Sequence, residues 1–439
     1  MAESSDGRAM KVAVIGAGWA GLAAAVGAVR AGHEVTLFEA TRSLGGRARG
    51  LSVQLPDGAS AMLDNGQHIL IGAYSQTLRV MRDVGVDPER VLLRLPLTLR
   101  FPDGLGLALP DWPAPWDAAA GVLFARGWHW RDKLSLLRAM ARWRRSGFQC
   151  GEHESVAALC AGLTPRVMAE LIEPLCVSAL NTPAGRSSAR VFLRVLRDAL
   201  FGPGDGRSRA SNLLLPRCDL GALFPDAAAQ WLTSHGAALQ TAHRILALSP
   251  EAGAWRVDGE RFDKVVLACP AREAARLIEG GGARAKPWVE RAHGLQYEAI
   301  ATIYALGQHR LPLPVLALRC GPGAPAQFVF DRAQLGGPPG LLAFVVSASQ
   351  GDLGSLQRQV LAQADALGWH GLLPLQTVVE RRATFACVPG VRRPPIAVAP
   401  GLLACGDYVE GPYPSTLEGA VRSALEAVGL LSADGSRLA

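Results

Sequence analysis

Between Lys11 and Glu39 the chain alternates in a pattern that few folds accommodate. Lys11-Val-Ala-Val-Ile15 is a short apolar run suited to a buried parallel strand. Gly16-Ala-Gly18-Trp19-Ala20-Gly21 follows at once, then the Ala-, Leu- and Val-rich stretch Leu22 to Ala31, a stop at Gly32, and a second strand from Glu34 to Glu39. Each glycine has a reason to be there. Gly16 permits the tight turn, Gly18 lets the backbone approach a pyrophosphate, and Gly21 lets the helix pack closely on the strand. The helix start then offers free N–H groups to phosphate oxygens. Glu39 closes the second strand, where a carboxylate can accept both hydroxyls of an adenosine ribose and would repel a 2′-phosphate. A lone GxGxxG is a weak signal in a chain with 49 glycines. The flanking strand, helix and acid make it a dinucleotide site. Gly16, Gly18, Trp19, Ala20, Gly21, Glu39 and Ala40 are its expected residues.

Ala40-Thr-Arg-Ser-Leu-Gly45-Gly46-Arg47-Ala-Arg49 follows the acid directly. This resembles the second glycine motif of FAD-dependent amine oxidases and phytoene-type desaturases, and the resemblance places these residues along the pyrophosphate and ribityl side of FAD. Later segments fit the same superfamily. Gly236 to Leu248 contains Ile245, implied to pack near adenine, and Phe262 to Pro270 ends a strand at a proline. Gly401 to Tyr408 reads as a buried strand followed by Gly406-Asp407, and the resemblance puts Asp407 on the ribityl hydroxyls. Ser415, Thr416 and Leu417 open a small-residue helix, with Ser415 and Thr416 as capping candidates and Glu418 in the first turn. The positive end of such a helix favours negative charge on a reduced flavin. Cys405 lies in an apolar strand and reads as a small hydrophobe, so the FAD is expected to be non-covalent.

The implied architecture is α/β: a Rossmann-like FAD-binding domain of the amine-oxidase type, with an inserted α+β substrate domain containing a mixed sheet and helices. At 439 residues the chain is too long for one core. The FAD domain is expected from 10–85, 210–290 and 385–435, the substrate domain from 86–209 and 291–384, and a flexible lead at 1–9. Gln296 to Leu306, Leu311 to Leu318 and Leu341 to Ser347 read as substrate-domain strands.

Composition narrows the partners. The eight cysteines form no CxxC pair and no cluster with histidine, so neither a metal nor a disulfide framework is expected. No apolar stretch is long enough for a membrane span. A cytoplasmic protein is the reading. The net charge of +7 comes without a nucleic-acid motif. It is concentrated between Arg126 and Arg145, where Arg126, Arg131, Lys133, Arg138, Arg142, Arg144 and Arg145 face a single acid, Asp132. Trp112, Trp116, Trp128, Trp130 and Trp143 lie in the same region. From about Trp128 to Phe148 the pattern suits an amphipathic helix. Cationic helices with tryptophan lie at anionic membrane surfaces, which would put the protein on the inner face of the cell membrane. A helix packed on its own protein with a solvated basic face gives the same pattern.

Two segments sharpen the resemblance. Leu63-Asp64-Asn-Gly-Gln67-His68 through Tyr74, and Ala404 through Ala420, are similar to the hydroxysqualene dehydroxylases, also called squalene-associated FAD-dependent desaturases, of bacterial hopanoid pathways. Glu173 to Thr182 looks like that family's substrate-domain segment. The resemblance implies reductive loss of the allylic-type hydroxyl of hydroxysqualene to give squalene, with hydride from N5 of reduced FAD. It implies a polyprenoid substrate and admits upstream squalene-pathway synthases as partners. The leaving hydroxyl needs a proton, for which His68 is the first candidate because it titrates near neutrality; Asp64, Glu410 and Tyr413 are the others. Asn181 and Gln67 are placed at the substrate. No second nucleotide motif marks an NADPH site, so the electron donor, NADPH or a separate reductase, stays open. A carotenoid or phytoene-type desaturase, an amine oxidase, and a non-redox FAD-holding protein of a lipid pathway are the alternatives.

Overall fold

A computed structural model describes residues 9–202, 204–205, 208–279 and 285–431. Of the expected lead, residues 1–8 lie outside the described residues, as do the parts of the expected domain segments at 203, 206–207, 280–284 and 432–435.

The N-terminal motif folds as its pattern requires. Lys11–Ile15 pairs in parallel with Glu34–Phe38 on one side, Val14 opposite Leu37, and with Lys264–Leu267 on the other, Val14 opposite Val266. Ala238–Gln240 and Leu402–Ala404 extend the parallel sheet outward, and Ala397–Ala399 closes it antiparallel. The four central runs, Lys11–Ile15, Glu34–Phe38, Lys264–Leu267 and Leu402–Ala404, are buried on both faces beyond their first residues, which is why they read as continuous apolar stretches and not as alternation. Helix Trp19–Arg30 covers the sheet and packs on the C-terminal helix Leu417–Leu431. Gly27 allows that approach: a Cβ there would stand 3.2 Å from Val428 Cγ2. A three-stranded antiparallel sheet, Leu248–Glu251, Ala254–Val257 and Glu260–Phe262, adjoins the large one, and Phe262 meets Phe38 edge-on at 6.0 Å.

The second large sheet has five strands in the order Val315–Ala317, Phe328–Asp331, Leu341–Ser347, Tyr297–Leu306 and Leu373–Phe385. It is antiparallel throughout. The mixed sheet of this protein is the six-stranded one instead. The strand expected from Leu311 begins only at Val315, because Pro312 and Pro314 have no N–H to give a ladder. Side-chain alternation assigns the faces of this sheet. Ala301, Ile303, Leu342, Phe344 and Val346 pack with helix Leu353–Ala366 in a separate core. Tyr304, Leu341, Ala343 and Val345 face the main core instead. A small sheet, Leu70–Ile71, Leu213–Pro216 and Leu92–Leu95, joins segments distant in sequence.

The amphipathic helix expected near Trp128 to Phe148 is Trp130–Arg145. Asp132 accepts the His129 backbone N–H at 2.8 Å and closes its first turn. Leu136, Ala139 and Trp143 bury one stripe. Among the described residues no helix is long and apolar enough to cross a membrane. All eight cysteines are free thiols, and no group of His, Cys, Asp and Glu among the described residues could hold a metal.

Candidate active site

A cavity of about 670 Å³ opens at the carboxyl ends of Lys11–Ile15 and Glu34–Phe38, where ligands of open parallel sheets bind. Its floor is built from the two glycine turns. Gly16 has φ +108°, and a Cβ there would sit 2.8 Å from Ala268 O. A Cβ on Gly21 would sit 1.7 Å from Gly16 O, so the helix can lie this close to the turn only with glycine. Gly18 differs: the nearest protein atom to its Cβ position is Gly46 Cα, at 3.9 Å. Protein packing leaves that space open. Gly45 donates its N–H to Ala17 O at 2.9 Å and pairs with Gly18, which lays the second glycine turn alongside the first.

Helix Trp19–Arg30 starts at Gly18 with no side-chain cap. Its first-turn N–H groups, at Trp19 and Ala20 on the cavity wall, are left for a ligand. Glu39 is fixed at the strand end: one carboxylate oxygen accepts from Ala17 N at 2.8 Å, the other from Thr41 N and Thr41 Oγ1, both at 2.9 Å. Ala40 and the buried Ile245 line the same end.

At the other end Arg47 and Asp407 form an ion pair, and Arg47 also donates to Ala383 O at 2.7 Å. Burial works against the Arg47 charge, but Asp407 beside it more than offsets this and holds the guanidinium above its ordinary value. Gly406 N donates to Ser423 Oγ at 2.9 Å, which anchors the turn carrying Asp407. Thr416 caps the C-terminal helix, accepting Gly419 N–H at 2.9 Å on Oγ1. Ser415 does not cap it. It sits at φ +58° and gives its N–H to Asp407 O and its hydroxyl to Phe385 O. Leu417 follows on the cavity wall. The fully buried Glu418 accepts from Gln76 N, Thr77 N and Thr77 Oγ1, and from Arg422, so it ties the start of helix Ser75–Asp83 to this one.

These features fit an adenine dinucleotide with a flavin. Glycine turns leave backbone room, an uncapped helix start supplies N–H donors, and the buried Tyr408 hydroxyl on the wall has no hydrogen-bond partner among the described residues.

The segment from Asp64 to His68 adjoins this space. Asn65, Gly66, Gln67 and His68 line the cavity, but Asp64 does not. Asp64 is buried at 1% exposure, with Oδ1 accepting Leu220 N–H at 2.8 Å. Burial pushes its carboxyl up to about 6, while the Arg332 guanidinium 3.9 Å away pulls the other way. Its place is structural: it pins the loop from beneath. Gln67 donates to Tyr304 Oη at 2.7 Å and accepts from Arg332 Nη1 at 3.1 Å, so both ends of its amide are committed. Tyr304 in turn donates to Asp64 O at 2.7 Å. His68 Nδ1 donates to Gly66 O at 2.8 Å. That fixes the neutral tautomer with Nε2 free, and Nε2 makes no hydrogen bond to a described residue. Burial lowers the His68 pKa.

Three other expected residues land differently. Asn181 lines the cavity in a left-handed conformation at the end of helix Glu173–Leu180, but donates to Thr384 Oγ1 at 2.9 Å and accepts Ala348 N–H at 2.6 Å. Its amide is therefore committed to joining this helix end to the five-stranded sheet. Glu410 is exposed, paired with Arg291 at 3.1 Å, and off the cavity wall. Tyr413 donates to Asp198 at 2.6 Å, away from the cavity, while its backbone carbonyl crowds Gly419. The sequence pattern assigned these last two by proximity along the chain; their partners Arg291 and Asp198 hold them off the cavity wall. Tyr74, Arg49, Arg272, Glu380, Arg382 and Ile300 line the cavity without having been singled out for it. Tyr74 and Ile300 were legible only as parts of a motif and a strand.

The paired glycine turns and the cavity at the strand ends define a dinucleotide-binding α/β protein, and the family and relatives that the chain matches make it a flavin-dependent oxidoreductase. The model of the family described as flavin containing amine oxidoreductase matches residues 19–431, and the chain belongs to that family. The chain is 29% identical to a hydroxysqualene dehydroxylase of Rhodopseudomonas palustris, over 97% of this chain and 99% of the relative. It is 27% identical to a hydroxysqualene dehydroxylase of Sinorhizobium fredii, over 95% and 97%. The fold is similar to that of an oxidoreductase from Methanosarcina mazei, with TM-score 0.72 at 17% identity, covering 96% of this chain and all of the other (100%).

Proposed function

We propose that this protein reduces hydroxysqualene, or a polyprenoid alcohol of the same class, to the hydrocarbon. The observation that carries the reading is end-to-end similarity to proteins named for that reaction, together with a flavin-fitting cavity whose wall continues into the Asn65–His68 loop. The C–O bond breaks, the hydroxyl leaves as water with one added proton, and a hydride takes its place on carbon. FAD, bound in its reduced form, supplies that hydride. Each turnover therefore consumes two electrons, which an external reductant must restore.

The chain's own residues do the rest. Gly16, Gly18, Trp19, Ala20, Gly45 and Gly46 hold the dinucleotide through backbone, with Gly21 allowing the close packing beneath. Glu39, Ala40 and Ile245 bind the adenosine end. Asp407, oriented by Arg47, with Gly406, Ser415, Thr416 and Leu417, fixes the ribityl and ring end. His68 delivers the proton from Nε2 in its imidazolium form. A lowered pKa makes that form scarce at neutral pH but strongly acidic. Asp64, Gln67, Tyr304 and Arg332 hold the loop that aims it. We assign 10–85, 210–290 and 385–435 to cofactor binding and 86–209 and 291–384 to substrate binding. The pairing of Leu92–Leu95 with Leu213–Pro216 makes the seam between them continuous.

The test compares three reactions of the purified FAD-loaded protein. The reading expects squalene from hydroxysqualene with reduced enzyme under anaerobic conditions. New double bonds in phytoene would assign it to the desaturases. Peroxide formation on amines in air would assign it to the amine oxidases.

A further inference from the structure

Six large apolar side chains between residues 112 and 137 are exposed: Trp112 (50%), Trp116 (68%), Leu123 (59%), Phe124 (67%), Trp130 (69%) and Leu137 (42%). Trp116 and Leu123 stand seven residues apart on helix Trp116–Leu123. Trp130 and Leu137 repeat that spacing on the outer side of helix Trp130–Arg145, opposite the buried Leu136, Ala139 and Trp143. The two helices pack together, and Lys133 Nζ donates to Leu123 O at 2.6 Å between them.

Beside this apolar surface runs a cationic one. Arg131, Arg138 and Arg142 share a face of the second helix and line a groove of about 220 Å³ with Leu134, Ser135 and Gly162. None of the three forms an ion pair with a described residue. Arg142 has one polar contact, to Leu159 O at 3.2 Å. The acids nearby are spoken for. Asp132 points inward to Thr164 and His129, Asp117 is buried, and Glu170 holds Trp128 and Arg319.

We infer that this helix pair docks on an anionic lipid surface, with the exposed tryptophans and leucines in the interface and lipid phosphates in the Arg131/Arg138/Arg142 groove. The combination selects the partner. Tryptophan and leucine beside unpaired arginine match a surface that is greasy beneath and anionic above. A second copy meeting this face across a two-fold axis would bring the same arginines together. The position serves a greasy substrate. Trp128 Nε1 donates to Glu170 at 2.9 Å, and the helical run that carries Glu170 continues into Glu173–Leu180, whose Ser178 and Ala179 line the cavity. The inference does not depend on which reaction the cavity performs.

The test is flotation of FAD-loaded protein with vesicles of phosphatidylcholine alone or mixed with phosphatidylglycerol. The wild type is expected to float with the mixed vesicles and to be released by salt. Joint substitution of Arg131, Arg138 and Arg142 by Gln should weaken that binding roughly a hundredfold, since each cation near such a surface contributes about fivefold. Trp116→Ser with Trp130→Ser should weaken binding to either vesicle. Flavin content should stay at the wild-type level in both variants. Equal binding to neutral and anionic vesicles, variants that bind as the wild type does, or a dimer that disappears on Trp116 and Trp130 substitution would each overturn the inference.

Discussion

Gly18 and Gly21 belong to one motif, yet the structure gives them separable roles, and two alanine substitutions should separate them. Gly18 has φ −74° and ψ −179°, a conformation open to any residue, and an added Cβ meets nothing nearer than 3.9 Å. Alanine there should cost the cofactor-free protein under about 1 kcal/mol, the usual penalty for that residue at a helix N-cap. The methyl group would instead occupy the space reserved for phosphate oxygens, which must come within about 2.9 Å of backbone nitrogen to bond. A loss of about one hundredfold in FAD affinity, or roughly 2.7 kcal/mol, is the expectation. The stabilisation that FAD gives the folded state should fall by a similar amount at fixed cofactor concentration. Gly21→Ala faces a different obstacle. Its Cβ would stand 1.7 Å from Gly16 O, and relieving that overlap must push helix from turn. Overpacking of this kind costs about 1–3 kcal/mol or more, and it should appear in cofactor-free and FAD-loaded protein alike. Thermal melts of both forms, with a flavin fluorescence titration, make the comparison. If Gly18→Ala keeps wild-type affinity, or destabilises the cofactor-free protein as much as Gly21→Ala does, the reasoning fails.

Three further predictions concern the rest of the site. Burial lowers the His68 pKa below its usual 6.5, so an acid role requires the rate to fall as pH rises through that lowered value; His68→Ala should keep FAD and lose this limb of the pH–rate profile. Asp407→Ala and Glu39→Ala should each reduce the flavin bound per purified chain, read from absorbance, by removing a carboxylate held at opposite ends of the cavity. Glu410→Gln and Tyr413→Phe should leave the rate constant of the chemical step near wild type. Tyr413→Phe should still cost roughly 1 kcal/mol of stability in denaturant unfolding, because it deletes the hydroxyl bonded to Asp198.

Much of the fold was legible because the first unit is local. Strand, glycine turn, helix and acid follow one another within Lys11 to Glu39, and each residue's reason lies in its neighbours. The Thr416 cap was legible for the same cause, whereas the place given to Asp407 came from the family resemblance. What the sequence concealed depends on contacts between distant segments. Asp64 sits in a promising motif, but Leu220 and Arg332, far along the chain, make it a buried support. Glu410 and Tyr413 follow the flavin-site turn in sequence, yet their partners Arg291 and Asp198 hold them outside. Gln67 and Asn181 reach the cavity with amides already bonded to Tyr304, Arg332, Thr384 and Ala348. Pro312 and Pro314 were visible, and they shorten a strand that apolar content alone had extended.

The central claim is that reduced flavin held in this cavity passes its hydride to a polyprenoid alcohol. Rapid anaerobic mixing of reduced, FAD-loaded protein with hydroxysqualene tests it in a single turnover, followed by the return of oxidised-flavin absorbance and the squalene formed. The account predicts that the two rise together, one squalene for each flavin reoxidised, with deuterium on the product carbon when the reaction is run in D2O, because the N5 hydrogen of reduced flavin exchanges with solvent. Flavin that stays reduced in the presence of hydroxysqualene, or squalene that forms without flavin reoxidation, would contradict it.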